Sequence, residues 1–255
     1  MSGLILVIYM TFVSFFVNLL FPNYLKMNCN LCFSYILCRL KFLTPEELDA
    51  VNNHKQSIQF KAGSVVFDEG QPLKGIYCIQ QGVIKLSKLS PNGKDQIIKL
   101  AIAGEFLGRR SVFTKERSTL KAVALNDVSV CFIPKKTFLS IVAHNADFSF
   151  SLLTRFAEDL IDADNSIVSL GQKSVSERMA TILLYLRKYI GINADGSLAV
   201  QLSRSDYANI IGAATESVIR VLADFKQDGL ISMHNKRIII NNTGALRARS
   251  SSVNQ

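Results

Sequence analysis

Histidine is nearly missing from this chain, with three residues among 255, His54, His144 and His234. They are scattered, and none stands beside a nucleophile in a recognisable motif. No acid–base or nucleophilic constellation is visible, and we read the chain as a non-enzyme. Cysteine is sparse as well. Five cysteines in a chain of this length, an odd number, argue against a secreted disulfide framework. No basic residue precedes the apolar run Leu4–Phe21, which argues against a secretory signal peptide. Acidic residues are outnumbered, 20 against 29 Lys and Arg, for a net charge of +9.

What is present is apolar, basic and long enough for a sizeable core. A hydrophobic fraction of 49% excludes disorder and leaves a globular or membrane-attached chain. A basic excess favours a polyanionic partner, although it also serves solubility. From Gln172 onward there are 11 Lys and Arg against 6 Asp and Glu. Three readings of Leu4–Phe21 stand open. It is an extension upstream of a start at Met27, a membrane anchor at the lower edge of spanning length, or a buried helix. Lys26, Arg39 and Lys41 would favour a cytoplasmic side after such an anchor.

The cysteines form a pattern. Cys29, Cys32 and Cys38 make a C-x2-C-x5-C run, and Cys131 closes an apolar strand-like segment 93 residues after Cys38. Four thiolates are what an iron–sulfur cluster needs. A four-thiolate zinc site is the alternative. Cys78, inside Gly75-Ile76-Tyr77-Cys78-Ile79, reads as a small buried strand residue outside this set.

The periodicities predict an α+β chain. Thr44-Pro45-Glu46-Glu47 is a helix start with a capping box. Short β-rich runs punctuated by glycine follow from Ser57 to about Pro134, with a turn signal at Pro91-Asn92-Gly93. They predict an antiparallel β jelly-roll barrel. From about Asp147 the period turns helical. Leu153, Phe156, Leu160, Ala163, Ile167 and Leu170 follow a 3,4 spacing, the seam of a dimerisation helix or of a helix lying on its own barrel. With Leu153, Leu160 and Ile167 at a positions, Asp159 falls at g and Asp164 at the next e. A parallel pair would then set these like charges face to face and make the dimer marginal.

Ser203-Arg204-Ser205-Asp206 caps a short helix to Ile211, a Gly212 turn follows, and a second helix runs from Thr215 to about Gln227. Residues 231–240 read as a small hairpin. This is the layout of a winged helix-turn-helix. Val218, Leu222 and Phe225 face the core, leaving Thr215, Glu216, Ile219 and Arg220 near a groove. Arg can grip guanine and Glu can accept from cytosine, although an ordinary surface Glu–Arg pair would show the same spacing. The expected segments are an extension at 1–26, a cysteine arm and barrel at 27–145, the long helix at 146–171, the winged helix at 172–247 and a frayed tail at 248–255.

Leu202-Ser203-Arg204-Ser205-Asp206, Thr215-Glu216-Ser217-Val218-Ile219-Arg220-Val221-Leu222 and Gly229-Leu230-Ile231 resemble the winged helix of the Crp/Fnr transcription factors. Phe67-Asp68-Glu69-Gly70, Gln81-Gly82-Val83-Ile84-Lys85 and Gly104-Glu105-Phe106-Leu107-Gly108 resemble their sensory barrel, which has a cyclic-nucleotide-binding-like fold. The four cysteines, with Cys131 before Phe132-Ile133-Pro134, are similar to the oxygen-sensing Fnr branch. The resemblance implies a [4Fe–4S] cluster on Cys29, Cys32, Cys38 and Cys131. It also implies double-stranded DNA, a second copy of the chain and RNA polymerase as partners, in a cytoplasmic setting. A membrane enters only if residues 4–21 span one. Ser203 and Arg204 match phosphate-holding positions. Glu216 and Arg220 match a Glu-x-x-Ser-Arg reading face, with Ser217 at one of its open positions, but Ile219 stands where the branch has Ser. The cyclic AMP site of other members has Glu where this chain has Arg109, although Arg117-Ser118 is kept. Their Thr-Ser pair on the dimer helix is replaced by Ala163-Asp164. A cyclic-nucleotide or haem sensor of the same fold, and a membrane-tethered module without DNA function, are the other readings.

Overall fold

The computed structural model describes residues 28, 29, 32, 34–90 and 93–251. The run Leu4–Phe21, and Pro91-Asn92 of the expected turn, lie outside the described residues. Among the described residues no helix is long and apolar enough to cross a membrane.

A short 3-10 turn (Arg39–Phe42) leads into α1 (Pro45–His54), whose Thr44–Glu47 capping box forms as expected. Eight strands follow: β1 (Gln56–Phe60), β2 (Val65–Phe67), β3 (Gly75–Gln81), β4 (Ile84–Leu89), β5 (Asp95–Ala101), β6 (Phe106–Leu107), β7 (Lys121–Ala124) and β8 (Val128–Pro134). They form two antiparallel four-stranded sheets, β1-β8-β3-β6 and β2-β7-β4-β5, the two layers of a jelly roll. A one-and-a-half-turn helix α2 (Arg109–Thr114) follows β6. Helix α3 (Lys135–His144) follows β8, and α4 (Ala146–Gln172) is the long helix, about 40 Å at 1.5 Å per residue.

Side chains on β3 and β8 alternate between two cores, because successive strand residues point to opposite faces. Ile79 and Val130 enter the barrel with Ile84, Ala122 and Leu107. Ile76, Cys78, Cys131 and Ile133 point outward, onto Val51 of α1, Phe138 of α3 and Phe148 of α4. Phe106, Phe138 and Phe148 meet edge to face with centroids 5.9–6.3 Å apart, each pair worth about 0.5–1.5 kcal/mol beyond area burial.

Helix α4 is buried at its start through Phe148, Ser151 and Leu152. Further on, Leu153, Leu160 and Ile167 are 64–69% exposed, and Ala163 is exposed. Phe156 turns inward instead. Its ring meets Phe113, and the Arg109 guanidinium stacks over it at 5.0 Å. Leu170 is partly exposed and leans over the Gly212 turn.

The expected Asp159–Asp164 opposition is not what the structure holds. Asp159 faces its own barrel, where its side chain is 11% exposed and paired with Lys99, Arg109 and Arg155. Burial pushes its carboxyl up, but these cations outweigh burial and hold its pKa below the usual carboxylate value. Asp164 alone stays on the exposed surface. The heptad count missed this because the barrel covers that side of the helix.

The winged helix comprises α5 (Val175–Tyr185) and a π turn (Leu186–Ile190), then α6 (Arg204–Ile211), α7 (Thr215–Gln227), β9 (Ile231–His234), β10 (Arg237–Ile240) and α8 (Thr243–Ser250). Helix α8 carries order past the expected tail boundary at 248. Asn242 caps it, Ser250 is buried, and Lys173 donates to the Ser250 carbonyl. The core of this unit, with Met179, Leu183, Tyr207 and Phe225, continues onto Val83, Ile97 and Leu100 of the barrel.

Candidate cysteine site and DNA-reading surface

The arm before α1 folds over the outer face of the β1-β8-β3-β6 sheet. Cys29 and Cys38 are buried and Cys32 is half-buried. All three line one small cavity of about 10 Å³ together with Cys131, Cys78, Ser34 and Gln80. Three cysteines from the arm and one from β8 thus line the same cavity. The sequence reading missed the fifth. Cys78 lies directly opposite Cys131 in the β3–β8 register, and its Sγ is 3.1 Å from Cys38 Sγ. It is buried, as expected of a strand residue, but it belongs to the site. The strand parity that sends Cys131 outward also sends Cys78 outward. Their pairing could be known only from the sheet register.

The arm is held by specific contacts. The Cys29 N–H donates to Asn52 at 2.9 Å, and Lys55 Nζ donates to Cys29 Sγ at 3.0 Å. The Ser34 hydroxyl donates to the Gln80 carbonyl, and the Cys38 N–H to the Ser34 carbonyl at 2.7 Å. Leu37 lies so close to Gly104 that a Cβ there would come within 2.7 Å of Leu37 Cβ. Arg39, next to Cys38, pairs with Glu158 of α4 at 3.4 Å, and Glu158 pairs with Arg155 at 3.0 Å.

Burial pushes the Cys131 thiol up to about 12 and raises Cys29 as well, with the Lys55 charge opposing it in both cases. A buried all-sulfur donor set suits iron–sulfur or zinc chemistry. Among the described residues no three His, Cys, Asp or Glu side chains close around a single metal ion. Cys38 Sγ and Cys78 Sγ lie in contact and the cavity has room for about one water molecule, so a polynuclear cluster would fit only with the arm moved outward.

The residues at the positions that other family members use for cyclic AMP make internal contacts here. Arg109 is buried and paired with Asp159. Arg117 donates to the Gly70 carbonyl at 3.0 Å, and Ser118 to the Leu120 carbonyl at 2.7 Å.

In the winged helix, Gly212 takes a left-handed conformation (φ +60°) that closes α6 and lets α7 leave at the turn. Val218, Leu222 and Phe225 bury one face of α7. Glu216, Ile219 and Arg220 stand exposed on the other, with Thr215 and Ser217 half-buried beside them. Among the described residues no ion pair joins Glu216 to Arg220. Ser203 is engaged in capping α6 with Asp206, and Arg204 reaches the Met233 sulfur at 3.3 Å. Asp206 also binds Lys85 of β4 at 2.6 Å, tying the reader to the barrel.

A jelly roll joined through one long helix to a winged helix-turn-helix is the architecture of a DNA-binding transcription regulator. Residues 57–145 match the cyclic nucleotide-binding domain model, and residues 177–249 match the Crp-like helix-turn-helix domain model. The chain is 27% identical over 208 residues to the CRP-like cAMP-activated global transcriptional regulator of Mycobacterium tuberculosis, covering 81% of this chain and 93% of that one. It is 26% identical over 227 residues to the fumarate and nitrate reduction regulatory protein of Salmonella typhimurium, covering 87% and 90%. The solved structure of FixK2 from Bradyrhizobium japonicum superposes with a TM-score of 0.69 at 22% identity, covering 78% of this chain and 98% of that one, and shows the shared fold. The chain belongs to the Crp/Fnr family of regulators. It is a DNA-binding transcription regulator and not an enzyme.

Proposed function

We propose that this regulator belongs to the Fnr branch and senses oxygen or redox state through a [4Fe–4S] cluster on Cys29, Cys32, Cys38 and Cys131. The convergence of three arm cysteines with Cys131, 93 residues away from Cys38 in sequence, carries the reading. The Salmonella relative, named for fumarate and nitrate reduction, supports it. When bound, such a cluster supplies an oxygen-labile bridge between arm and barrel. The arm's own residues carry the consequence further. Arg39 follows Cys38 and reaches Glu158, so loosening the arm withdraws a cation from the side of α4. The exposed face of Leu153, Leu160 and Ile167, flanked by Ala163, Phe156 and Leu170, is where a second copy would pack. A parallel pair sets two α7 helices about 34 Å apart, one turn of duplex DNA. There Arg220 and Glu216 would read the G and C of a TGA-like half-site, with Ile219 against a thymine methyl. Thr215, Ser217, Ser203 and Arg204 would hold the backbone, and RNA polymerase would be the effector partner. A labile cluster requires a reducing compartment, consistent with a cytoplasmic protein.

The cyclic-nucleotide alternative draws on the matched domain and the cAMP-activated relative. The buried Arg109–Asp159 pair, where the ribose acceptor would stand, weighs against it. Protein purified without oxygen is expected to carry about four iron and four sulfide per chain. It is expected to bind a palindromic TGA-type duplex and to lose both properties in air. Colourless, iron-free protein that binds the duplex equally well in air would refute the proposal.

A further inference from the structure

We propose that Cys38 and Cys78 form a reversible disulfide that caps the cysteine site in oxidised, cluster-free protein. The two sulfurs are 3.1 Å apart, about 1 Å from bonding distance. They come from separate parts of the fold. Cys38 ends the arm just before the Arg39–Phe42 turn, and Cys78 sits in the middle of β3. The barrel strand is fixed by pairing on both sides, to β8 and β6, so only the arm has to adjust. The Ser34 hydroxyl, bonded to the Gln80 carbonyl, already holds the arm against that strand, and the Cys38 N–H bonds back to Ser34 within the arm. Cys131 lies opposite Cys78, but the close sulfur contact runs to Cys38.

The chemistry balances with a peroxide as oxidant. One of the two sulfurs, written here as Cys38, attacks the peroxide oxygen, breaks the O–O bond and becomes a sulfenic acid as water leaves. The Cys78 sulfur then attacks the Cys38 sulfur and expels a second water as the S–S bond forms. The two thiols lose two electrons and two protons, and the peroxide takes them up. Access comes from brief opening of residues 34–38, in which Ile36 and Leu37 are exposed.

The bond has three consequences. It withdraws Cys38 from the proposed cluster ligands, and it keeps the arm on the barrel without an inorganic core. It also protects both sulfurs from irreversible over-oxidation. The disulfide rests on sulfur geometry alone; its effect on cluster assembly rests on the function proposed above.

The test uses the full chain, reduced and metal-free, treated with about one equivalent of hydrogen peroxide. Free thiols are alkylated, and peptides are mapped by mass spectrometry. A Cys38–Cys78 linked peptide that disappears with dithiothreitol is expected. A map in which Cys78 is alkylated, or is joined to Cys131 or Cys32 instead, would overturn the proposal. Treated wild-type protein should then take up at least tenfold less iron and sulfide than untreated protein, with dithiothreitol restoring uptake. Cys78→Ala treated with excess peroxide should recover less uptake with dithiothreitol than wild type does, because its Cys38 sulfenic acid goes on to irreversible oxidation. Equal recovery in the two would overturn the capping role. The wild-type peptide map decides the disulfide even if that variant folds poorly. If untreated protein assembles no cluster, the function proposed above fails, while the linked peptide still decides this inference.

Discussion

Gly104 shows how one missing side chain can position the cysteine arm. Its φ of +89° is strained for any L side chain, and a Cβ would collide with Leu37. Gly104→Ala is expected to cost about 1–3 kcal/mol and to unseat the arm while leaving the barrel folded. Hydrogen exchange should then accelerate at residues 34–38 and stay slow on β3 and β8. Unchanged protection of the arm would contradict this. At the DNA surface, Arg220 stands free of its neighbour Glu216 and points away from the core of α7. Arg220→Ala is expected to weaken binding of a TGA-type half-site by about 1–3 kcal/mol, five- to 150-fold, and to relax selection of its guanine. Fluorescence anisotropy with matched and G-substituted duplexes measures both effects. That Glu216, Ile219 and Arg220 share the exposed side of α7 was legible from its 3.6-residue period alone. Cys78 was not, because nothing local distinguishes a strand cysteine in a filled core from one facing four other sulfurs.

Helix α4 carries two faces, and the heptad count saw only one. Leu153, Leu160 and Ile167 stay exposed as a seam requires, whereas Phe156 and Asp159 turn to the barrel. The charged face is a lock. Lys99 joins Asp159 and Glu105, Arg155 joins Glu105 and Glu158, and Arg109 is buried against Asp159. Removing the Asp159 charge leaves Arg109 buried without its carboxylate, and breaking buried pairs is costly. Because part of this network is near solvent, Asp159→Asn is expected to cost on the order of 2–3 kcal/mol in chemical unfolding. The pH dependence follows from the lowered pKa of Asp159. Its contribution is present above the unfolded value of about 4 and is lost as pH falls through the folded pKa. The stability difference between wild type and Asp159→Asn should therefore shrink below about pH 4 and stay constant from pH 6 to 8. A difference that instead widens in acid would rule out this account.

The whole chain is joined at a junction that segment boundaries hide. Val83, Ile97 and Leu100 of the barrel share a core with the winged helix, and Lys85–Asp206 closes over it. Asp206 serves twice, as the capping partner of Ser203 and as the anion for Lys85. Burial pushes its carboxyl up, and the bonds from Lys85 and Ser203 bring it below the usual range. Val83→Asp would put an unpaired carboxylate into this junction. Calorimetry is expected to show one cooperative transition for the wild type and two for Val83→Asp, as the winged helix undocks. A single transition in both would show that the junction does not couple the two units.

The barrel, the long helix and the winged helix could be read along the chain, because each is written in local signals: glycine-bounded short strands, a 3,4 apolar spacing, and caps before and a turn within the helix pair. The three arm cysteines and Cys131 could be read as a set by their spacing and by resemblance. Which side of α4 meets the barrel, which strand faces which, and that Cys78 joins the other sulfurs were decided only by the assembled fold. Those facts depend on register and on contacts between residues far apart in sequence, and no local pattern encodes a distance across a sheet.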